Sequence, residues 1–245
     1  MAPQDALLAL VGFVAGAVNT IAGGGSLLTL PALVVLGLEP GVANATNRVA
    51  VLLQSAVGAG TLVRGAPEPV RWPWGRLTCA CLGAAAGAAL ASRLSADALR
   101  TAIGGVMLVM LVVLVVEPKR FLEPRPAAAG WIQGVTFFAL GLHGGFVQAG
   151  VGIFLLVGGV WVAGEDLVRA NVGKNLLVLA FTLPALAVFA AHGLVAWGPG
   201  LVLAAGAMLG GFVGARLTLR RGARFVRWVL AGAVLAGAVR LLVGG

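Results

Sequence analysis

Two cations stand inside apolar segments instead of in loops: Arg48 in Asn44-Ala45-Thr46-Asn47-Arg48, and Lys174 in Asn171-Val172-Gly173-Lys174-Asn175. Offset by 127 positions the stretches coincide, Asn44 with Asn171, Asn47 with Lys174 and Arg48 with Asn175. Each stretch supplies amides and one positive charge. Such groups together can replace the water shell of an oxyanion, and the partly positive start of a helix adds to the effect. A lone cation near a segment end would more simply snorkel to the interface. Two related copies, both flanked by Asn, support a binding role, because ionisable residues inside membrane segments are functional candidates. Acids fall elsewhere. All eight, Asp5, Glu39, Glu68, Asp97, Glu117, Glu123, Glu165 and Asp166, lie in loops or at segment ends. A proton relay or cation site needs a carboxylate in mid-membrane, and acid–base catalysis needs a buried acid or base. Cation transport and acid–base chemistry both lose support.

The second constellation is a pair of glycine-rich breaks, Gly23-Gly24-Gly25-Ser26 and Gly150-Val151-Gly152. Unwound backbone at membrane depth survives only where protein or a water-filled cavity satisfies its N–H and C=O groups. The first break is expected to aim its N–H groups at an anion. Asn19 and Gln148, one turn before each break, can add side-chain amides. Close helix packing is the competing use of glycine, and it explains many of the 38 glycines. Cys79 and Cys81 fall on different faces of a helix, so neither a disulfide nor a metal pair is expected. His143 and His192 are too few for a metal centre. No cofactor is implied. Pro184, inside an apolar segment, reads as a kink.

The elements that position these residues follow from composition. Hydrophobic residues make up 60% of the 245 and charged residues 10%, against about 25% charged in soluble domains. A lipid bilayer is therefore the expected solvent. The net charge of +9 lies in loops between apolar runs, as topology signals do, and does not point to nucleic acid. The first segment opens at Asp5 without a basic leader and reads as a crossing, not a cleavable signal. Apolar segments run over 6–22, 26–37, 42–63, 74–92, 97–116, 130–148, 151–163, 168–191, 198–216 and 224–243. Segments 26–37 and 151–163 fall short of the roughly 20 residues a crossing needs. They read as re-entrant or half-crossing pieces.

The order of segment types repeats: long, break, short, then three long. Gly12, Gly16 and Asn19 correspond to Gly141, Gly145 and Gln148 at an offset of 129. The expected organisation is an N-terminal repeat over 1–116, a charged, proline-bearing linker over 117–129 and a C-terminal repeat over 130–245. Loop charge selects the topology. If each long–short pair crosses once, cations divide 7 against 8 between the two sides; if each pair returns to its starting side, they divide 12 against 3. The positive-inside rule selects the second. It gives an all-α polytopic membrane protein of two inverted repeats, each a broken helix pair plus three crossings, with both termini outside and the linker in the cytoplasm.

Gly12-Phe13-Val14-Ala15-Gly16, the Gly23-Gly24-Gly25 run, Pro31 and Ala43-Asn44-Ala45-Thr46-Asn47, with Gly141 to Gly145 and Ala170 to Asn175 in the second half, resemble the TauE/SafE sulfite exporter family over nearly the whole chain. The resemblance implies secondary transport of a small sulfur-containing or organic anion, such as sulfite or a sulfonate, across the bacterial inner membrane. Family helices often begin this segment with a Thr-Ser pair; here Thr46-Asn47 and Gly173-Lys174 stand instead, and the substrate stays open. The expected anion site comprises Asn19, Gly23, Gly24, Gly25, Ser26, Asn44, Asn47, Arg48, Gln148, Asn171, Lys174 and Asn175. Two other classes compete: an intramembrane enzyme acting on a lipid phosphate, which lacks its buried acid, and a non-transporting membrane subunit. Glycine-rich faces serve homo-oligomer contacts as well as internal packing.

Overall fold

The computed structural model describes residues 3–66, 69–70, 72–99, 101–105 and 126–243, without the side chains of 223, 224, 227, 228 and 230–243. Most of segment 97–116 and most of the linker over 117–129 lie outside the described residues; 96–99 and 101–105 are helical. No strand occurs among the described residues. The helices are α1 Pro3–Ala22, α2 Ser26–Val35, α3 Pro40–Gly65, α4 Trp74–Ala91, α5 Gly130–Phe146, α6 Val151–Trp161, α7 Leu167–Ala191 and α8 Trp197–Val243. Among the described residues, four stretches are long and apolar enough to cross a membrane: α1, α4, α7 and Trp197–Gly222 of α8. α3 is as long, at 26 residues, but carries Asn44, Asn47, Arg48 and Gln54 along one run.

Local sequence sets the helix ends. Pro40 opens α3 directly after Glu39, a position where proline's missing N–H costs nothing. Asp166 caps α7, accepting from the N–H groups of Val168 (2.9 Å) and Arg169 (3.1 Å). Glu39 and Asp166 also coincide at the 127 offset. α1 stops at Gly23 (φ 90°) and α6 starts after Gly150 (φ 70°), both left-handed positions that favour glycine. The second break differs from expectation. Its unwound residues are 147–150, so Gln148 lies inside the break, whereas Gly152 belongs to α6. Val147 is extended and its N–H bonds the His143 carbonyl at 2.8 Å, which ends α5 two residues early. The expected loop between 216 and 224 is also helix, interrupted at Gly222 (φ 64°, ψ −160°). There the helix keeps its arginines by stacking them on rings: Arg216 over Phe212 at 4.3 Å and Arg221 over Phe225 at 5.2 Å.

Residue contacts give the helix directions. α2 runs back along α1: Gly25 backs onto Ala15 and Asn19, and Pro31, Val35 and Leu36 meet Leu7, Leu8 and Val11. α6 runs back along α5 in the same way. Gly158 faces Leu140 and Phe137, and the Ala128 N–H reaches the Val162 carbonyl at 2.9 Å. Each long–short pair is thus a hairpin that returns to the end of the bundle where it began.

α1 and α8 run parallel at glycine distance. A Cβ on Gly12 would strike the Leu203 carbonyl oxygen, one on Gly206 that of Ala9, and one on Gly210 that of Phe13. α4 and α5 repeat the device, Gly83 against Phe138, Gly141 against Ala80 and Gly145 against Ala84. Small residues four apart let backbones approach this closely. α3 runs parallel to α8, with Thr46 near Ala196, Val49 near Gly200 and Gln54 near Gly211. It runs antiparallel to α7, with Arg48 beside Phe189, while Ala59 and Leu62 cluster with Val172 and Leu176. Exchanging α1 to α4 for α5 to α8 maps the α1–α8 contact onto α5–α4, and α3–α8 onto α7–α4.

One end of the bundle gathers Gly65 with Leu219, Arg76 with Glu165 (2.7 Å) and Ala128 with Val162. The other gathers Ser92 with His192, Gly41 with Leu99 and Thr46 with Ala196. Arg64, Arg76, Arg169, Arg216, Arg220 and Arg221 therefore belong to the first end, and Arg93 to the second.

Candidate substrate site

The first break touches the first turn of α6, directly after the second break: a Cβ added to Gly23 would overlap Gly152, and one on Gly152 would overlap Gly23. Around this contact lies a buried polar cluster. Asn19, Ser26, Asn44, Asn47, Arg48, Gln148, Asn171, Lys174 and Asn175 are all buried, as are Thr20, Thr29, Gln54, Ser55 and Thr182. All twelve sequence-predicted site residues are buried, and the bonds that follow involve the side chain of every polar one except Asn171. The added threonines and Gln54 were not legible as site residues, since single Thr and Gln residues in apolar helices carry no pattern.

Arg48 and Lys174 do not snorkel. Their exposures are 0% and 1%. Each reaches across to the other half. Arg48 Nη1 donates to the Gly144 carbonyl (2.8 Å) and Nη2 to that of Gly145 (2.6 Å), at the end of α5. Its guanidinium lies 4.7 Å from the centre of the Phe189 ring. Lys174 Nζ donates to the carbonyls of Asn19 (2.8 Å) and Thr20 (2.9 Å), at the end of α1. The amides follow the same plan: Asn44 Nδ2 donates to the Phe146 carbonyl (2.8 Å), and Asn175 Nδ2 to that of Thr20 (3.2 Å). A helix that ends inside a membrane leaves carbonyls without intrahelical partners, and its C-terminus carries partial negative charge. A cation from the opposite half satisfies both needs. Half of the eight N–H donors of the two cations, two of Arg48's five and two of Lys174's three, thus hold helix ends.

The centre still holds two basic side chains without a carboxylate: the buried polar residues among those described include no Asp or Glu. Several buried polar atoms also find no partner in the protein, namely Arg48 Nε, Asn44 Oδ1, Gln148 Oε1, Ser55 Oγ and both polar atoms of Asn171. Gln148 Nε2 bonds Thr182 at 3.0 Å. His143 is half-buried, with Nε2 3.3 Å from the Ala149 carbonyl and its ring edge-on to Phe154. No group of three metal-ligating side chains occurs among the described residues.

A vestibule of about 780 Å³ opens at the arginine-rich end. Arg76, Glu165, Asp166 and Arg169 line it, and so does Gly173, next to Lys174. Sequence reading treated Glu165 as a loop acid. The structure ties one of its oxygens to Arg76 and buries the other against Gly159 and Gly173.

Apolar crossings around a buried, cation-bearing centre define the class: a polytopic membrane protein with a polar core. Comparison with known proteins agrees. The sequence profile described as "Sulfite exporter TauE/SafE" matches residues 8–241. A Sinorhizobium protein called "Probable membrane transporter protein ORF9" is 27% identical, over 97% of this chain and 92% of its own. A "Probable membrane transporter protein" of Haemophilus influenzae is 27% identical over 91% and 88%, and YfcA of Escherichia coli K12, with the same description, is 28% identical over 90% and 83%. No solved structure matches the chain. The chain belongs to the TauE/SafE sulfite exporter family. It is a membrane transporter, not an enzyme, and its partners are a small-molecule substrate and the bilayer.

Proposed function

We propose that this protein is a secondary transporter of a small anion, of the sulfite or sulfonate kind, working by alternating access around the point where the first break meets α6. One observation carries the reading: Arg48 and Lys174 place two buried positive charges at that point, with no acid among the buried described residues. Burying a cation without an anionic partner is costly, and the helix-end carbonyls that Arg48 and Lys174 bond offset only part of that cost. A bound anion relieves that cost, and a bound cation would raise it. The twelve residues named from the sequence make up the polar surroundings of this site.

We also infer that the halves are inverted copies. The helix directions support it, since α1 and α3 run opposite to their counterparts α5 and α7, and α4 opposite to α8. Inverted halves with broken helices are a recurrent basis for alternating access. Loop charge then orients the chain in the bacterial inner membrane with the arginine-rich end in the cytoplasm, so the vestibule faces inward. An Arg221→Cys variant in intact cells is expected to resist an impermeant thiol reagent and to react once the cells are opened. Ready labelling of intact cells would reverse the orientation.

The function is tested by uptake into proteoliposomes holding the purified chain. Radiolabelled sulfite, methanesulfonate and acetate are compared with rubidium and with a neutral sugar. Saturable uptake of at least one oxyanion, with none of rubidium, is expected. Saturable rubidium uptake without anion uptake would refute the reading.

A further inference from the structure

The structure assigns the anion's immediate seat to the first break alone: a small cavity where Asn19, Ser26, Asn47 and Gln54 supply the donors and Thr29 positions Asn47, while Arg48 and Lys174 act from behind as helix caps. This rests on the anion-transport reading above and deepens it.

The cavity lies between α1, α2, α3 and α8. Asn19, Gly25, Ser26, Thr29, Asn47 and Gln54 line it, and its volume open to the centre of a water molecule is about 10 Å³. Its polar groups are wired so that donors remain. Asn19 Nδ2 donates to Gln54 Oε1 (2.6 Å), Gln54 Nε2 to Thr20 Oγ1 (2.6 Å) and Asn47 Nδ2 to Ser26 Oγ (3.1 Å). Each amide has two N–H groups, so each keeps one beyond these bonds. Ser26 accepts here and keeps its proton to give. Thr29 Oγ1 donates to Asn47 Oδ1 at 2.6 Å. That bond engages the only acceptor of the Asn47 side chain and turns its NH₂ group the other way. Thr29 is thus a positioning residue. α2 also begins at Ser26, so the positive end of its dipole meets the cavity. Lys174 sits on the carbonyl of Asn19 itself. Spare donors, a helix N-terminus and a nearby ammonium all favour an anion and disfavour a cation.

The second break repeats only part of this chemistry: Gln148, the counterpart of Asn19, donates to Thr182 Oγ1 on α7 (3.0 Å), but the rest is missing. α6, over Val151–Trp161, contains no Ser or Thr, and the 127 offset pairs Gln54 with Phe181. The unpartnered atoms nearby mix a donor, Arg48 Nε, with the acceptors Asn44 Oδ1 and Gln148 Oε1. That mixture suits a bridging water. The protein therefore offers one seat, not two related ones.

The cavity as it stands holds about one water, so a sulfite-sized anion must widen it. We assign that widening to α2, the shortest of the four walls. It has ten residues, follows the left-handed Gly23, and exposes Leu28, Val34 and Val35.

The test is the concentration dependence of uptake, using whichever oxyanion of the panel the unaltered protein carries. Gln54→Glu places a carboxylate in the cavity and is expected to raise KM by about 30-fold or more. Thr29→Val and Ser26→Ala are expected to raise it about tenfold. Thr78, whose hydroxyl donates to the Trp74 carbonyl of its own helix (3.0 Å), is the control: Thr78→Val should leave KM unchanged. A Thr29→Cys variant, with Cys79 and Cys81 replaced by Ala, should be shielded by the anion from a permeant maleimide. If the unaltered protein carries an oxyanion but these variants keep its KM and Thr29→Cys goes unshielded, the seat lies elsewhere and the transport reading stands. If it carries none of the panel, the transport reading fails and this assignment falls with it. If Gln54→Glu does not fold, the threonine and serine variants decide.

Discussion

A Lys174→Ala variant is expected to lose both fold stability and transport, whereas Lys174→Gln loses transport alone. Lys174 Nζ bonds two carbonyls at the end of α1, and its stem is fully buried. Truncation to Ala removes three methylenes at about 0.8 kcal/mol each. It also withdraws donors from carbonyls that keep only the Gly23 N–H (2.9 Å) and Asn175 Nδ2 (3.2 Å) as further partners here. Together this amounts to about 4 kcal/mol, or roughly 10 °C in thermal midpoint for a chain of this size. Gln keeps an N–H donor and most of the stem but carries no charge. Its midpoint should stay within a few degrees, while uptake falls about 100-fold, the equivalent of about 3 kcal/mol of lost charge stabilisation behind the seat. Thermal unfolding in detergent, measured beside uptake, separates cap from charge. Equal loss of stability in both variants would assign Lys174 a charge-dependent structural role.

Gly206→Leu is the second large effect, and it should abolish folded protein. The missing Cβ is what lets α8 lie on the backbone of α1: the added carbon would overlap the Ala9 carbonyl oxygen and crowd Phe13 N at 2.9 Å. Both obstacles are backbone, so no side chain can swing aside. The helices must separate, and separation uncovers Asn19 and the end of α1 to which Lys174 is tied. Overpacking of this kind usually costs 1–3 kcal/mol, more where backbone must shift. Gly60 in α3 has nothing within 4 Å of a built Cβ. Gly60→Ala should therefore be tolerated, or slightly stabilising by helix propensity. The measurement is the monodisperse yield of each variant on gel filtration. A normal yield of Gly206→Leu would mean that α1 and α8 pack less tightly than described.

Much of the centre was legible in the sequence because its signals were local. Three glycines before a serine, and an Asn-rich stretch with a cation in each half, are visible within five residues. What those cations touch was not. The partners of Arg48 lie 96 and 97 positions away and those of Lys174 lie 154 and 155 positions away, and each belongs to the other half. Local sequence holds no record of such pairings. The second break was misplaced by a few residues for a related reason. Gly152 looked like backbone that must unwind, but it serves close packing against Gly23, while the extended Val147 does the unwinding. Thr29 and Gln54 escaped notice because each is one polar residue in an apolar run, and their meaning comes from meeting Asn47 and Asn19 on neighbouring helices. Charge parity in the loops, by contrast, spoke directly to which segments return, because the cations of one end are shared among many loops.

The most direct test is oxyanion uptake by proteoliposomes carrying an Arg48→Gln, Lys174→Gln double variant, beside the unaltered chain. Both replacements keep N–H donors for the broken helix ends and remove the two buried charges. The expected result is a folded protein of near-normal thermal midpoint whose saturable anion uptake is lost. A folded double variant that still takes up the anion at the normal rate and KM would contradict it.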